Sequence, residues 1–278
     1  MSKLFPIRIK TFLVPLAGVA LYYFVQFAAL YLCAFVFKNN NSLSLLSVHY
    51  GSYLIIISVL MAVCLFIWLY TARKTTWTTV KMDRLSPDQM LAAVPIALAM
   101  LGLVNLYMVG IQSLSEHSLL IKDYLTNYVA STSLPNTTTG LEAAGYYIGV
   151  GILIPVIEEI IFRGIIMGEF RSTMKPDIAV FLAAFVFGIM HMQPIQIVYA
   201  FVCGLILGYV YLYSGSLLMS IGIHILFNLL GGILPVLLAD NQSLMNIIGF
   251  AEIFFILIGS FCIMYLRAGY RSKKIQEV

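Results

Sequence analysis

Charged residues are scarce in this sequence. Lysine, arginine, aspartate and glutamate make up 10% of the 278 residues, whereas a soluble domain contains about 25%. Hydrophobic residues make up 61%. This composition excludes a soluble enzyme and predicts an all-α, polytopic membrane helical bundle. The net charge of +4 is small and lies at the ends of apolar segments, which argues against a nucleic-acid partner.

Cysteine is also scarce, with four residues and no CxxC spacing. Closely spaced cysteine pairs would indicate a zinc knuckle or a disulfide framework, and neither is predicted here. All four cysteines lie inside apolar segments, where a free thiol packs like a small hydrophobic side chain. We therefore interpret them as packing residues: Cys33, Cys64, Cys203 and Cys262.

Long apolar segments dominate what is present. A helix that crosses a bilayer needs about 20 apolar residues, and the run after the basic N-terminus exceeds the roughly 7–15-residue core of a signal peptide. Ser86-Pro87-Asp88 predicts the start of the third helix, and Pro194 ends a short fifth one. The eight predicted spans are residues 11–37, 50–71, 90–111, 141–170, 178–192, 195–213, 217–238 and 244–266.

The basic residues between the spans predict the orientation of the chain. With eight spans, one side of the membrane keeps only Lys38 and Lys122. The positive-inside rule places the other side, with both termini, in the cytoplasm. That side collects Lys3, Arg8, Lys10, Arg73, Lys74, Lys81, Arg84, Arg171, Lys175, Arg267, Arg271, Lys273 and Lys274.

The sequence predicts a single integral membrane domain, 1–278, in the cell membrane. Residues 1–140 form three spans and end in a polar extracytoplasmic connection, 112–140, with room for a loop or a short surface helix. Residues 141–238 form a core that contains all the motifs described below. No internal repeat or low-complexity tract divides the chain.

Six of the polar or charged residues inside the predicted spans of this core are candidates for a function or an ion pair. An ionised group near a bilayer centre costs about 2.5–3.5 kcal/mol on insertion scales, so such residues usually have a function. Glu159 and Arg163 are four residues apart and are predicted to form an ion pair. Glu158 lies about 100° round the helix from Glu159, so this pairing does not account for it.

The other three polar residues are His191, His224 and Asn228. At 1.5 Å per residue, these three residues and Glu158 lie roughly 12–20 Å from the predicted cytoplasmic ends of their helices. His224 and Asn228 share one helix face because they are four residues apart. We therefore predict that these side chains converge on one hydrated pocket.

Three further polar residues are given no chemical role. We interpret Glu252 as a structural hydrogen-bonding group or a lipid-side residue near a helix end. His49 and His117 are predicted to lie at or near the extracytoplasmic surface.

Three spacings occur in order: Glu158-Glu159-x-x-x-Arg163, Phe187-x-x-x-His191 and His224-x-x-x-Asn228. Together they resemble the CAAX-protease and bacteriocin-processing family of intramembrane proteases, also called the Abi or type II CAAX prenyl endopeptidase-like family. The resemblance covers about 70 residues, from 158 to 228, and no motif of the family occurs in the first 140.

The resemblance implies a role for each of the six polar or charged motif residues. Glu158 would be the general base that activates water, and His191 would hold that water with it. His224 and Asn228 would stabilise the oxyanion, while Glu159 and Arg163 would support the helix. Amide hydrolysis independently requires a base and hydrogen-bond donors aimed at developing negative charge.

This interpretation predicts an endopeptidase without a cofactor that acts on a membrane-bound or amphipathic peptide or protein. In a bacterium the substrate would be a peptide pheromone, a bacteriocin leader or a signalling protein. Prenylated CAAX substrates are disfavoured, because nothing in the sequence indicates an organelle-retention signal.

Three alternatives stay open. Glu158, His191 and His224 could hold a zinc ion, although the sequence has no His-Glu-x-x-His motif and adjacent glutamates point in different directions. The protein could instead be a non-catalytic immunity or regulatory protein that binds a membrane partner. A transporter is the third alternative, although the sequence shows no inverted repeat.

Overall fold

The computed structural model describes residues 9–39, 41–71, 82–132 and 140–276. These residues are helical, apart from turns and one isolated antiparallel bridge between Met82 and Ser216. The predicted all-α class is confirmed. In chain order the helices are α1 (Lys10–Val36), α2 (Ser42–Thr71), α3 (Pro87–Ser115), α4 (Leu119–Thr132), α5 (Gly140–Ile148), α6 (Ile154–Glu159), α7 (Met167–Arg171), α8 (Pro176–Ile189), α9 (Pro194–Ser214), α10 (Leu217–Asn228), α11 (Leu234–Leu237) and α12 (Gln242–Gln276).

Three π-helical turns interrupt this series. They are Gly149–Leu153 between α5 and α6, Ile160–Ile166 between α6 and α7, and Leu229–Ile233 between α10 and α11. Residues 140–171 therefore form one helical run that changes its hydrogen-bonding pattern four times. A π-helical turn is rare and occurs mostly inside longer helices, often at functional sites.

Six helices of the described part of the chain are long and apolar enough to cross a membrane. The protein is therefore a polytopic helical membrane protein, as predicted. The six correspond to the predicted spans one, two, three, six, seven and eight. Their bounds are Lys10–Val36, Ser44–Thr71, Pro87–Ser115, Pro194–Ser214, Leu217–Leu237 and Gln242–Ser272.

The predicted span 178–192 is wrong at its C-terminal end. The helix α8 stops at Ile189, so His191 lies in the turn that follows and not on a helix. Met192 has a left-handed backbone with φ 59°. Gln193 is extended, because a residue before proline is disfavoured in the helical region. Pro194 thus restricts the backbone of the residue that precedes it.

The beginning of α3 confirms the predicted start. Ser86 is the N-cap, Pro87 is the first helical residue, and the Ser86 amide donates a hydrogen bond of 3.0 Å to Gln89 Oε1. The predicted connection 112–140 contains the helix α4, in which no residue is buried. Its place at the membrane surface stays a prediction. Residues 133–139 of that connection lie outside the described part.

The chain divides into two compact units. Unit 1 comprises Met1–Lys81 and Leu134–Lys175, and unit 2 comprises Met82–Ser133 and Pro176–Val278. The single domain and the orientation of the termini stay predictions. Of the basic residues that predict the orientation, five lie outside the described part: Lys3, Arg8, Arg73, Lys74 and Lys81.

In unit 1, α2 packs closely against α5 through glycine. A Cβ on Gly51 would overlap the backbone carbonyl of Glu142, and one on Gly145 would lie 3.0 Å from the backbone of Gly51. The two helix backbones therefore touch, as small residues allow in membrane proteins. The Glu142 carboxylate accepts hydrogen bonds from the Ser52 amide (2.8 Å) and hydroxyl (2.5 Å). This contact holds the start of the helical run 140–171 against α2.

In unit 2, the core lies among α3, α9, α10 and α12. Its central residues include Ile96, Met100, Leu207 and Ile223, each 0% exposed. The helix α8 packs against α9 where small residues face each other. A Cβ on Gly204 would lie 3.1 Å from Ala184, and one on Gly208 would lie 2.9 Å from Val180. This close approach fixes the middle of α8 against α9.

Candidate functional site

Glu158 and Glu159 are the last two residues of α6 in unit 1. Glu158 is 8% exposed and Glu159 is 0% exposed. Arg163, which is 2% exposed, lies in the following π-helical turn, and its Nη1 donates a hydrogen bond of 2.7 Å to Glu159 Oε1. The predicted ion pair is confirmed. A buried charged pair of this kind stabilises a structure only while both partners remain.

The carboxylate of Glu158 is turned to a different neighbour. Its Oε1 accepts a hydrogen bond of 3.1 Å from the hydroxyl of Tyr22 in α1. Sequence reasoning missed Tyr22, because it is one of 17 tyrosines and lies 136 positions from Glu158. No local pattern in a single sequence indicates such a contact.

The backbone around the two glutamates is irregular on both sides. The π-helical turn Gly149–Leu153 ends just before Pro155, which lacks an amide hydrogen and cannot complete a regular helical ladder. A second π-helical turn begins at Ile160, directly after Glu159. The two carboxylates thus lie on a short α-helical piece whose direction is set by irregular turns at both ends.

In unit 2, His224 and Asn228 lie one turn apart on α10. His224 is 6% exposed and Asn228 is partly exposed. Asn228 is the last residue of α10, and the third π-helical turn begins at Leu229. The glutamate pair and the third motif therefore both end where an α-helix changes into a π-helical turn.

His191 lies in the turn after α8 and is partly exposed. Its Nδ1 is 2.8 Å from the backbone carbonyl oxygen of Phe187. A carbonyl oxygen only accepts hydrogen bonds, so Nδ1 must carry the proton. In the neutral ring, Nε2 is then the acceptor nitrogen. This tautomer would let Nε2 accept a hydrogen bond from a water molecule.

The ring of Phe187 contacts both histidines. Its centroid lies 4.8 Å from that of His191 and 6.0 Å from that of His224, with nearly perpendicular planes in both cases. Phe187 is 3% exposed. Such edge-to-face contacts restrict the rings that form them. Unit 2 thus brings two of the predicted site residues to one aromatic side chain.

The six motif residues are divided between the units. Glu158, Glu159 and Arg163 belong to unit 1, whereas His191, His224 and Asn228 belong to unit 2. The convergence of Glu158 with the residues of unit 2 stays a prediction. Within the described ranges, no three His, Cys, Asp or Glu side chains are grouped as a metal site.

The remaining polar residues have structural partners. Glu252 is 5% exposed and accepts a hydrogen bond from the Asn105 amide, so the structural interpretation is confirmed and the lipid-side interpretation is wrong. His49 Nδ1 lies 3.3 Å from Glu142 Oε1, at a kink in α2. His117 is exposed, with Nδ1 3.1 Å from the carbonyl oxygen of Ser113.

Comparison with known proteins identifies the motif-bearing region. Residues 140–230 match the family model described as Type II CAAX prenyl endopeptidase Rce1-like. This range extends from α5 into the third π-helical turn and contains all six motif residues. No curated protein and no solved structure gives a significant match. Residues 140–230 are therefore similar to the Type II CAAX prenyl endopeptidase Rce1-like family.

Proposed function

We propose that this protein is an intramembrane endopeptidase that hydrolyses a peptide bond of a membrane-associated peptide or protein. The observation that carries the proposal is the different surroundings of two adjacent buried glutamates within the family domain. Glu159 forms an ion pair with Arg163, whereas Glu158 accepts a hydrogen bond from a neutral hydroxyl. We assign the proton transfer to Glu158, because Glu159 is engaged by the arginine.

Four of the six motif residues then take part in the reaction. Glu158 takes a proton from a water molecule, which His191 holds through Nε2, and the hydroxide forms a bond to the carbonyl carbon. His224 and Asn228 donate hydrogen bonds to the resulting oxyanion. When the carbon–nitrogen bond breaks, Glu158 returns the proton to the leaving amine. Glu159 and Arg163 support the helix and take no part in the proton transfer.

The position of His191 supports a hydrated pocket. The 14 residues of α8 extend over only about 21 Å at 1.5 Å per residue, less than the hydrocarbon thickness of about 30 Å. The turn 190–193 would therefore lie at membrane depth. Non-helical backbone is tolerated there only where protein surrounds it or where it lines a water-filled cavity.

The proposed topology has eight crossings. Six are the long apolar helices, and the other two are the run 140–171 and α8. Under this count both termini are cytoplasmic, because the basic connections then fall on one side. Accessibility labelling of cysteines introduced at Lys38 and at Lys175 tests it, since the two should react from opposite sides of a sealed vesicle.

Cleavage by the purified protein tests the enzymatic proposal. The probes are an internally quenched amphipathic peptide with an apolar C-terminus and a farnesylated CAAX peptide, with products identified by mass spectrometry. Glu158→Gln should lower the rate at least about 100-fold, because general acid–base catalysis contributes about 10²–10⁴. Glu252→Gln is the matched control, since Glu252 is similarly buried and the oxygen of the new glutamine side chain can still accept the hydrogen bond from Asn105.

Two results of this assay would count against the metal-free proposal. Full activity of a folded Glu158→Gln variant would contradict the proposal. Loss of wild-type activity in a zinc chelator, with recovery on adding zinc, would favour the zinc alternative built on Glu158, His191 and His224.

A further inference from the structure

The helix α1 lies outside the family-matched range 140–230, yet it contacts the proposed general base. Tyr22 donates its hydroxyl hydrogen to Glu158 Oε1 at 3.1 Å. The side chain of Gln26, one turn further along α1, also contacts the Tyr22 side chain. An amide NH₂ can donate to the phenolic oxygen while that oxygen donates onward to the carboxylate.

Several contacts hold α1 beside the helical run that contains Glu158. The Thr11 hydroxyl lies 3.3 Å from that of Thr173. A Cβ on Gly18 would make ordinary contacts of 3.6 Å with Ile166. In these pairs and in the pair of Tyr22 with Glu158, the residue number rises along α1 while it falls along the other segment. The two segments are therefore antiparallel neighbours. The hydroxyl of Tyr22 is therefore placed by the packing of a whole helix.

The sequence of α1 explains why Tyr22 faces this way. The buried residues of the helix recur at intervals of three and four, the spacing of a single helix face. Tyr22 occupies the gap between Gly18 and Val25 in that series. The buried positions are Thr11, Pro15, Gly18, Val25, Ala29 and Cys33.

We propose that Tyr22 is a positioning residue that orients the Glu158 carboxylate for proton transfer, so that the first membrane helix completes a site otherwise built from the family domain. This inference rests on the proposed function. A carboxylate can rotate about its terminal bonds. A donor fixed to one oxygen restricts that rotation and gives the second oxygen a defined direction.

Removal of the single hydroxyl tests the inference in the full-length protein. Tyr22→Phe should lower kcat for the internally quenched amphipathic peptide about tenfold or more, with KM changed by less than twofold. A tenfold loss corresponds to about 1.4 kcal/mol, which a hydrogen bond to a charged group can contribute. Tyr31→Phe is the control, because Tyr31 lies on the same helix with 75% exposure and its loss should change neither constant.

A thermal double-mutant cycle tests the contact without any substrate. Tyr22→Phe should lower the melting temperature of the wild type, but should have little effect in a Glu158→Leu background, where the acceptor is gone. Equal losses in both backgrounds would overturn the inference, because Tyr22 would then act independently of Glu158.

The two measurements separate this inference from the proposed function. Thermal coupling with unchanged kcat in Tyr22→Phe, while Glu158→Gln is inactive, would overturn the positioning role and leave the protease proposal intact. Wild-type activity of Glu158→Gln would overturn both. Coupling together with a reduced kcat and a constant KM would support both.

Discussion

Replacement of Arg163 by methionine should destabilise the protein strongly. Arg163 and Glu159 are 2% and 0% exposed, and their charged atoms are 2.7 Å apart. At an effective dielectric constant of about 20, charges at this distance attract each other by roughly 6 kcal/mol. Arg163→Met removes this attraction and leaves a carboxylate in a site from which water is excluded.

The net loss is smaller than the attraction, because desolvation of both groups opposes the pair. Breaking a buried ion pair by removing one partner costs about 3–5 kcal/mol. With about 2–4 °C per kcal/mol for domains of 150–250 residues, the melting temperature should fall by about 6–20 °C. The double variant Glu159→Leu, Arg163→Met should recover most of this loss, since hydrophobic residues of similar volume are often tolerated.

A thermal-shift assay of the purified protein in one detergent measures these differences. Arg171→Met serves as the control, because it removes an arginine at the end of the same helical run, where the residue is partly exposed. The fall in melting temperature for Arg171→Met should be less than half the fall for Arg163→Met. If the melting temperature falls equally in Arg163→Met and in the double variant, loss of the partner of Glu159 is not the cause, and the reasoning is refuted.

Two further substitutions test packing and polar contacts within the units. Gly51→Ala would force a Cβ onto the Glu142 carbonyl and should lower the melting temperature. Gly110→Ala is the control, because a Cβ there meets nothing within 4 Å, and it should leave the melting temperature unchanged or raise it slightly. Equal effects of the two substitutions would contradict the close approach of α2 and α5. Asn105→Leu removes the side-chain amide that donates a hydrogen bond to the Glu252 carboxylate. It should lower the free energy of unfolding by about 1–3 kcal/mol, measured in the same assay. An unchanged melting temperature would show that this hydrogen bond contributes little to stability.

The helical class and most helix bounds could be predicted from the sequence, because apolar length is a local property. The start of α3 at Pro87 and that of α9 at Pro194 follow from proline chemistry. The end of α8 was missed, although Gln193 before Pro194 carried a signal for it. The π-helical turns had no comparable signal, since a change in backbone pairing depends on the packing around it.

Some contacts of the site residues could likewise be predicted from the sequence, and others could not. The pairing of Glu159 with Arg163 could be predicted, because helix geometry places residues four apart on one face. The contact of His191 with the Phe187 carbonyl depends on where α8 ends. The contact between Phe187 and His224 joins two helices, and a single sequence contains no information on such pairs.

The two glutamates show how far each kind of reasoning extends. They are chemically identical neighbours on α6, separated by about 100° of rotation. That rotation turns Glu159 towards an arginine in its own helical run and Glu158 towards Tyr22 in α1. The ion pair is contained within residues 140–230, whereas the contact of the proposed base needs a helix that the family model does not cover. A fragment limited to residues 140–230 would retain all six motif residues and still lack the Tyr22 hydroxyl, so the motif alone does not define the surroundings of Glu158.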